Sequence, residues 1–478
     1  MVVGNSWWRY NKTLDGTKLG TLPTDTGAIW IADNSLDIVV VDYEGNDAYS
    51  YTPTTNTFVS LSLGFYPSSV CTLDTYFVFG EKDSKQFWVS DPLSTTVQST
   101  RFASKEGTPD DLITLIGDKR EVLLLGEKAG EFWYNEGDAT FPLRRRAFMS
   151  HGTRAKESPA IVDNSIFFLD SHHQVRRIYG YDAQIISTRQ IDYRIKQCIS
   201  KDDAIGIPVV YQGHALYILI FPTDKKCFVY DASIEQWQDW TSLEGYEEIQ
   251  FRVRCGLLGV EGGADLFNDK PLLGDYRDPY VWELSETAYR DGENRFRKSR
   301  SCMVISSEGK PIFFDRLQIE AETGVGLIEG VKSSTLADAG AADDTSVTVA
   351  DKTGIKAGYG LEMDLDDGSL FATVVTGVVG NSVGLSQVLP SAASRGNAIS
   401  FYDYEARFPT IDMDYSDDGG KTFSNKLTEE LGGPGQYNNI LVWTHMGSSY
   451  RRVFRWETDA PAKVIFSDAY LEATIGAR

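Results

Sequence analysis

The sequence predicts an all-β protein: a β-propeller of about six or seven blades, a C-terminal β-sandwich and a small inserted β domain. Three observations predict it. One hairpin unit recurs seven times along residues 1–300. Aromatic residues make up 12% of the chain and sit among many Gly, Thr, Ser, Asp and Asn residues, the mixture of short strands joined by tight turns. No long amphipathic helical pattern interrupts the strands, which argues against a parallel βαβ sheet. At 478 residues the chain can bury several cores without disulfide or metal staples.

The unit is an apolar strand, a turn, and a second strand rich in aromatics. Its instances are VVGNSWWRY from Val2, VVVDYEGNDAYSY from Val39, FVFGEKDSKQFWVSD from Phe77, LLLGEKAGEFWYNEG from Leu123, FFLDSHHQVRRIYG from Phe167, ILIFPTDKKCFVYD from Ile218 and PLLGDYRDPYVWEL from Pro271. The apolar runs close on Gly4, Asp42, Gly80, Gly126, Asp170, Phe221 and Gly274, at spacings of 38, 38, 46, 44, 51 and 53 residues. A four-stranded blade consumes roughly 40–50 residues, whereas solenoid repeats are shorter. Beyond the turn an aromatic returns as Tyr51, Trp88, Trp133, Tyr179, Tyr230 and Trp282. Such rings are expected to pack between blades, because each twisted sheet must bury both faces. Asn34-Ser35, Asp163-Asn164, Gly262-Gly263 and Asp291-Gly292 supply turns between alternating stretches.

After Trp282 no tryptophan occurs until Trp443, and residues 325–403 are dominated by Gly, Ala, Ser, Thr, Val and Asp. The strands TSVTVAD from Thr345, LEMDLDD from Leu361, FATVVTGVV from Phe371 and SVGLSQVL from Ser382, with Asp367-Gly368 as a hairpin turn, predict a folded insert there. The flanks 301–324 and 404–478 read as halves of one sandwich, with the insert replacing a loop between two of its strands. The propeller is expected over 1–300.

A formal charge of −22, from 46 basic and 68 acidic residues, argues against a broad phosphate-gripping surface. Any contact with DNA is expected to be loose. The five cysteines, Cys71, Cys198, Cys227, Cys255 and Cys302, are isolated and form no CxxC pair, so neither a disulfide framework nor a metal site is expected. No run of 18 apolar residues and no signal-peptide pattern occurs, so no membrane association is expected.

The sharpest local motif runs from Ser416 to Phe423 and matches the Asp-box pattern S-x-D-x-G-x-T-[WF], with Ser416, Asp418, Gly420, Thr422 and Phe423 at the defining positions. Its physics is structural: the Asp418 carboxylate accepts turn amides, the glycines allow positive φ, and Phe423 is expected to plug the hairpin into the core. Five histidines, two of them His172-His173 in one turn, offer no spacing for metal or nucleophile–base chemistry. No catalytic residue and no cofactor is expected. Arg144, Arg145 and Arg146 form the only triple basic run; they suit contact with DNA phosphates or acidic neighbouring subunits, or simple counter-charge on an exposed loop.

In their order, VLLLGEKAGEFWYNEGDATFPLRRR (122–146), FMSHGTRAKESPAIVDNSIFFL (148–169), FVYDASIEQWQDW (228–240), PLLGDYRDPYVWEL and SDDGGKTFSNKLTEELGGPGQYNNILVWTHMGSSYRRVFRW (416–456) resemble the tail hub, or packaged-DNA stabilisation, family of short-tailed bacteriophages. The resemblance implies a non-enzymatic virion protein of the tail, assembled in the host bacterial cytoplasm. It also implies a homo-hexameric ring below the portal and head-to-tail adaptor, a lumen through which viral DNA passes, and attachment of tail needle, spike or fibre proteins. Family members begin with a further strand-rich segment, whereas this chain starts inside an early blade strand. The competing readings are an Asp-box propeller glycosidase or sialidase, which needs arginines converging from several blades, and a carbohydrate- or receptor-binding tail module.

Overall fold

Among the described residues of the first unit, seven small antiparallel sheets of three or four strands follow one another. The computed structural model describes residues 2–10, 15–244, 247–257, 271–285, 288–292, 294–322, 332–403, 409–432 and 439–476. Blade 1 comprises Val2–Val3, Ser6–Tyr10 and Gly16–Thr21. Blades 2 to 6 each have four strands in meander order and span 29–60, 67–104, 112–149, 160–185 and 205–239. Blade 7 shows Val253–Leu257, Leu272–Asp275 and Val281–Glu283. The repeated hairpin falls on the second and third strands of blades 2 to 6. The expected turns at Asn34-Ser35 and Asp163-Asn164 have positive φ at Ser35, Asp163 and Asn164, while Gly262-Gly263 lies outside the described residues.

The second strand of each four-stranded blade reads as an unbroken apolar run because both of its faces are buried. Val40 joins Trp7 and Tyr51 in the core between blades 1 and 2, while Val39 and Val41 meet Phe77 and Phe79 in the next core. Val78 then faces Val122 and Leu124; Leu123 and Leu125 face Ile166 and Phe168. Phe167 and Leu169 meet Tyr217, Leu219 and Phe221, and Ile218 and Ile220 meet Val253 and Leu273. Successive side chains on a strand point to opposite faces, so one run supplies two adjacent cores.

The repeated aromatics largely fill these seams. Tyr51 lies edge-on to Trp7 at 6.1 Å, Trp133 edge-on to Phe87 at 4.9 Å, and Trp88 stacks on Phe65 at 4.7 Å. Tyr179 departs from the expected packing: it is exposed, with Arg177 4.8 Å above its ring. The core between blades 5 and 6 takes in Phe167, Tyr217 and the repeated aromatic Tyr230, together with Ile191 and Ile195 of the helix Arg189–Lys196, which Thr188 caps through the Ile191 amide. Among the described residues no helix is long and apolar enough to cross a membrane.

The second unit holds a sandwich and a barrel. One sandwich sheet runs Lys298–Ser301, Arg451–Thr458, Thr410–Ser416, Leu427–Glu430 in spatial order. In the other, Ile312–Glu322 is flanked by Asn439–Thr444 and Ser448–Ser449 on one side and Ile465–Ile475 on the other. Ile312, Phe314, Leu317 and Ile319 pack against Ile411, Met413, Phe454 and Trp456. Between the two halves of the sandwich in sequence, six strands from Lys332 to Asp403 form one sheet that closes on itself. The Leu336–Val349 bridge joins its two edges, with Ala337 N donating to Thr348 O at 2.8 Å and Ala350 N to Thr335 O at 2.9 Å. Leu361, Met363, Phe371, Val383 and Phe401 fill its interior. Asp367-Gly368 makes the expected hairpin turn, Gly368 at φ 80°. Of the expected insert boundaries, 325 lies outside the described residues, and 403 is the last residue of the strand Ala398–Asp403.

Candidate functional site

Three polar constellations carry the chemistry of the described chain: the Asp-box hairpin, the arginine run, and a segment that crosses the centre of the propeller. In the first, the Asp418 carboxylate accepts hydrogen bonds from the Lys421 amide at 2.8 Å, the Thr422 amide at 3.0 Å, the Thr422 hydroxyl at 2.7 Å and the Ser416 hydroxyl at 2.7 Å. These donors, Thr422 first, hold its carboxyl well below the ordinary carboxylate range. Gly419 and Gly420 take φ of 85° and 94°, a region open to glycine at little cost. Phe423 corrects its expected role. It is half-buried beneath the Arg455 guanidinium, 3.7 Å away, and Arg455 is held by Asp414.

The hairpin's deeper anchor is Arg452, which sequence reading did not single out. The residue is 2% exposed; its guanidinium forks onto the Asp417 carboxylate at 2.7 and 2.9 Å and donates to Met446 O at 2.5 Å. It lies 3.9 Å from the Tyr415 ring centroid and 4.4 Å from that of Phe314. A planar, always-charged group suits this sandwich of aromatic faces and carboxylate better than lysine would. The only sequence signal is the paired aspartate of the box, Asp417-Asp418.

Arg144, Arg145 and Arg146 lie on the outer strand of blade 4, Leu143–Met149. Each is partly exposed, and each reaches a carboxylate of its own blade: Glu136 at 2.8 Å, Glu131 at 3.6 Å and Glu121 at 3.0 Å. Glu131 is fully buried and also accepts from the Glu106 and Gly107 amides and from Trp133 Nε1. The register between Phe132 and Trp133 shifts at Arg146, a bulge that lets adjacent arginines leave one strand together. Among the described residues all three pair within blade 4, whereas a sialidase needs arginines of several blades around one pocket.

The third constellation is residues 152–158, between the last strand of blade 4 and the first of blade 5. Thr153 N donates to Gly126 O in blade 4 at 2.9 Å, and Thr153 Oγ1 to Leu169 O in blade 5 at 2.7 Å. Gly206 N and Tyr217 Oη, both of blade 6, donate to Glu157 O at 2.9 Å and Ser158 O at 2.8 Å. Glu157 pairs with Arg254 of blade 7 at 3.0 Å. Lys156 sits 3.3 Å from the Tyr43 ring centroid and 3.9 Å from Glu44, both in blade 2. One short segment can touch blades 2, 4, 5, 6 and 7 only where the blades meet, so it occupies the propeller axis. Burial lowers the Lys156 pKa despite Glu44 and Glu157. The fit is tight: a Cβ on Gly206 would lie 2.0 Å from Ser158 O.

His172 and His173 occupy the expected turn, where Asp170 accepts from the His172 and Gln174 amides at 2.8 and 2.9 Å. Among the described residues no group of three or more His, Cys, Asp or Glu side chains could hold a metal ion. All five cysteines are free thiols.

Seven blade-like sheets followed by a sandwich define the class as a β-propeller protein with a C-terminal β-sandwich. The family model described as bacteriophage P22 Gp10, beta-propeller matches residues 1–287, and that described as bacteriophage P22 Gp10, beta-sandwich matches residues 391–474. The chain belongs to the bacteriophage P22 Gp10 family and is a structural protein of a phage tail. No curated protein matches it. Among solved structures it is similar to the Cps50 (Swd1) beta-propeller domain of Myceliophteria thermophila, at 8% identity over 60% of this chain and 98% of that one, with a TM-score of 0.38. It is also similar to a chain of a nidogen/laminin complex, at 9% identity over 48% of this chain and 84% of that one, with a TM-score of 0.31.

Proposed function

We propose that six copies of this protein form the tail hub, or nozzle, below the portal and its adaptor, surrounding the passage through which DNA leaves and helping to retain packaged DNA. The observation that carries the reading is the family match over both the propeller and the sandwich. Residues 152–158, which reach blades 2, 6 and 7 from the link between blades 4 and 5, support a passage between copies rather than one through a single propeller. The acidic balance of −22 supports a wall that repels phosphates and lets DNA slide. Arg144, Arg145 and Arg146 serve the blade, since each is matched by a glutamate beside it. In this reading the protein is not an enzyme; it assembles in the host cytoplasm and carries needle, spike or fibre proteins distally.

The deciding experiment images particles made without this protein. Heads that leak DNA and lack the distal tail are expected; full heads with complete tails would overturn the hub reading.

A further inference from the structure

The strand Ile465–Ile475 is eleven residues long and hydrogen-bonds on one side only, to Ile312–Glu322. Among the described residues no strand pairs with its other edge. All of its residues except Phe466 and Leu471 are exposed, Ile465, Tyr470 and Ile475 among them. An edge of this length leaves a row of backbone donors and acceptors open to another strand, and proteins commonly blunt such edges with lysine, arginine, proline or a bulge. Leu143–Met149 of blade 4 is protected in this way, by three arginines and a bulge. Ile465–Ile475 contains no lysine, arginine or proline. Its register shifts lie toward its ends, and from Asp468 to Glu472 it pairs without interruption with Arg316–Glu320.

We propose that this edge receives an extended segment of another polypeptide by strand addition, one carrying basic residues four apart on one face with an apolar residue midway. The chemistry follows from the side chains that share that face. Asp468, Tyr470 and Glu472 alternate along the strand, opposite Glu320, Gln318 and Arg316. Asp468 first and then Glu320 raise the Tyr470 hydroxyl pKa, Asp468 also as its hydrogen-bond partner, so both carboxylates act on this face. Among the described residues only Glu472 has a basic neighbour there, Arg316 at 3.7 Å. A second copy of the same strand would set carboxylate against carboxylate, which disfavours self-pairing. Main-chain bonds would supply affinity and the alternating side chains selectivity. This inference goes beyond the conduit reading and does not depend on it.

The test uses the full chain and the peptide Ser-Thr-Lys-Thr-Val-Thr-Lys-Thr-Ser, with a control of identical composition whose two lysines are adjacent and so face opposite ways. Binding is followed by fluorescence anisotropy, and hydrogen exchange is read over 465–475. The alternating peptide is expected to bind and slow exchange in that segment by about tenfold or more, and the control to do neither. Asp468→Asn with Glu472→Gln, which retains side-chain shape, is expected to abolish the difference. Equal binding of both peptides without added protection would reduce the effect to charge attraction and overturn the proposal. Protection that grows with protein concentration in the absence of peptide would overturn it in favour of a second copy.

Discussion

Asp418 and Arg452 hold one hairpin from opposite sides, and they differ in how solvent reaches them. Arg452 is buried between Phe314 and Tyr415, so its truncation leaves a cavity, an unpaired Met446 carbonyl and a carboxylate at Asp417 without its cation. Because Asp417 is partly exposed and can be rehydrated, Arg452→Ala is expected to cost about 2–3 kcal/mol, below the figure for a fully buried pair. Calorimetry should place the whole loss in the sandwich transition. Asp418→Ala should act through pH. The native carboxyl titrates below its unfolded value, so its contribution is fully present above about pH 4 and fades only as pH falls through the lower native pKa. The melting difference between native protein and Asp418→Ala should therefore be constant from pH 7 to about 5 and shrink in stronger acid. A difference that grew on acidification would contradict this sign. Asp418 was legible in the sequence because its donors lie within four residues; the Arg452–Asp417 fork joins positions 35 apart, and no local pattern encodes it.

At the scale of elements, residues 152–158 do more than connect blades 4 and 5. Lys156→Ala removes a cation held over Tyr43 and facing Glu44, and is expected to lower propeller stability by about 1 kcal/mol while leaving the sandwich transition unchanged. Arg254→Ala should lower the same transition, since it frees Glu157 on the other side of the axis. The blades themselves were readable, because a buried two-faced strand must be apolar throughout and the hairpin repeats. The axial role was not: GTRAKES reads as an ordinary polar loop, and its meaning comes from Tyr43, far away in sequence. The insert shows the same division. Its strands and the Asp367-Gly368 turn follow from alternation, whereas closure depends on the Leu336–Val349 bridge, which no periodicity announces. With its own closed core, the barrel is expected to be dispensable: replacing 332–403 by a Gly/Ser linker should leave both remaining transitions visible in calorimetry. Loss of the sandwich transition would make the barrel integral to it.

At the scale of the whole molecule, the proposed conduit would meet DNA through its overall charge rather than through any single contact. A chain at −22 whose three-arginine run is matched by its own glutamates has little with which to hold phosphates. In the proposed ring of such chains the passage wall would repel the duplex over about a Debye length, roughly 10 Å at 0.1 M salt, so a helix moving along it would meet few adhesive sites. Converting several exposed carboxylates of that wall to lysine should reverse the sign. Each phosphate neutralised releases counterions, so the added drag is expected to be largest at low salt and to fall steeply as salt rises. Single-particle ejection rates measured across a salt series should separate the variant from native phage most clearly in dilute buffer. In concentrated salt, where screening silences both signs, the two should coincide. A variant that ejects at the native rate in every salt would mean that the duplex never approaches the wall closely enough to feel it, and that the width of the passage, not its charge, keeps DNA from sticking.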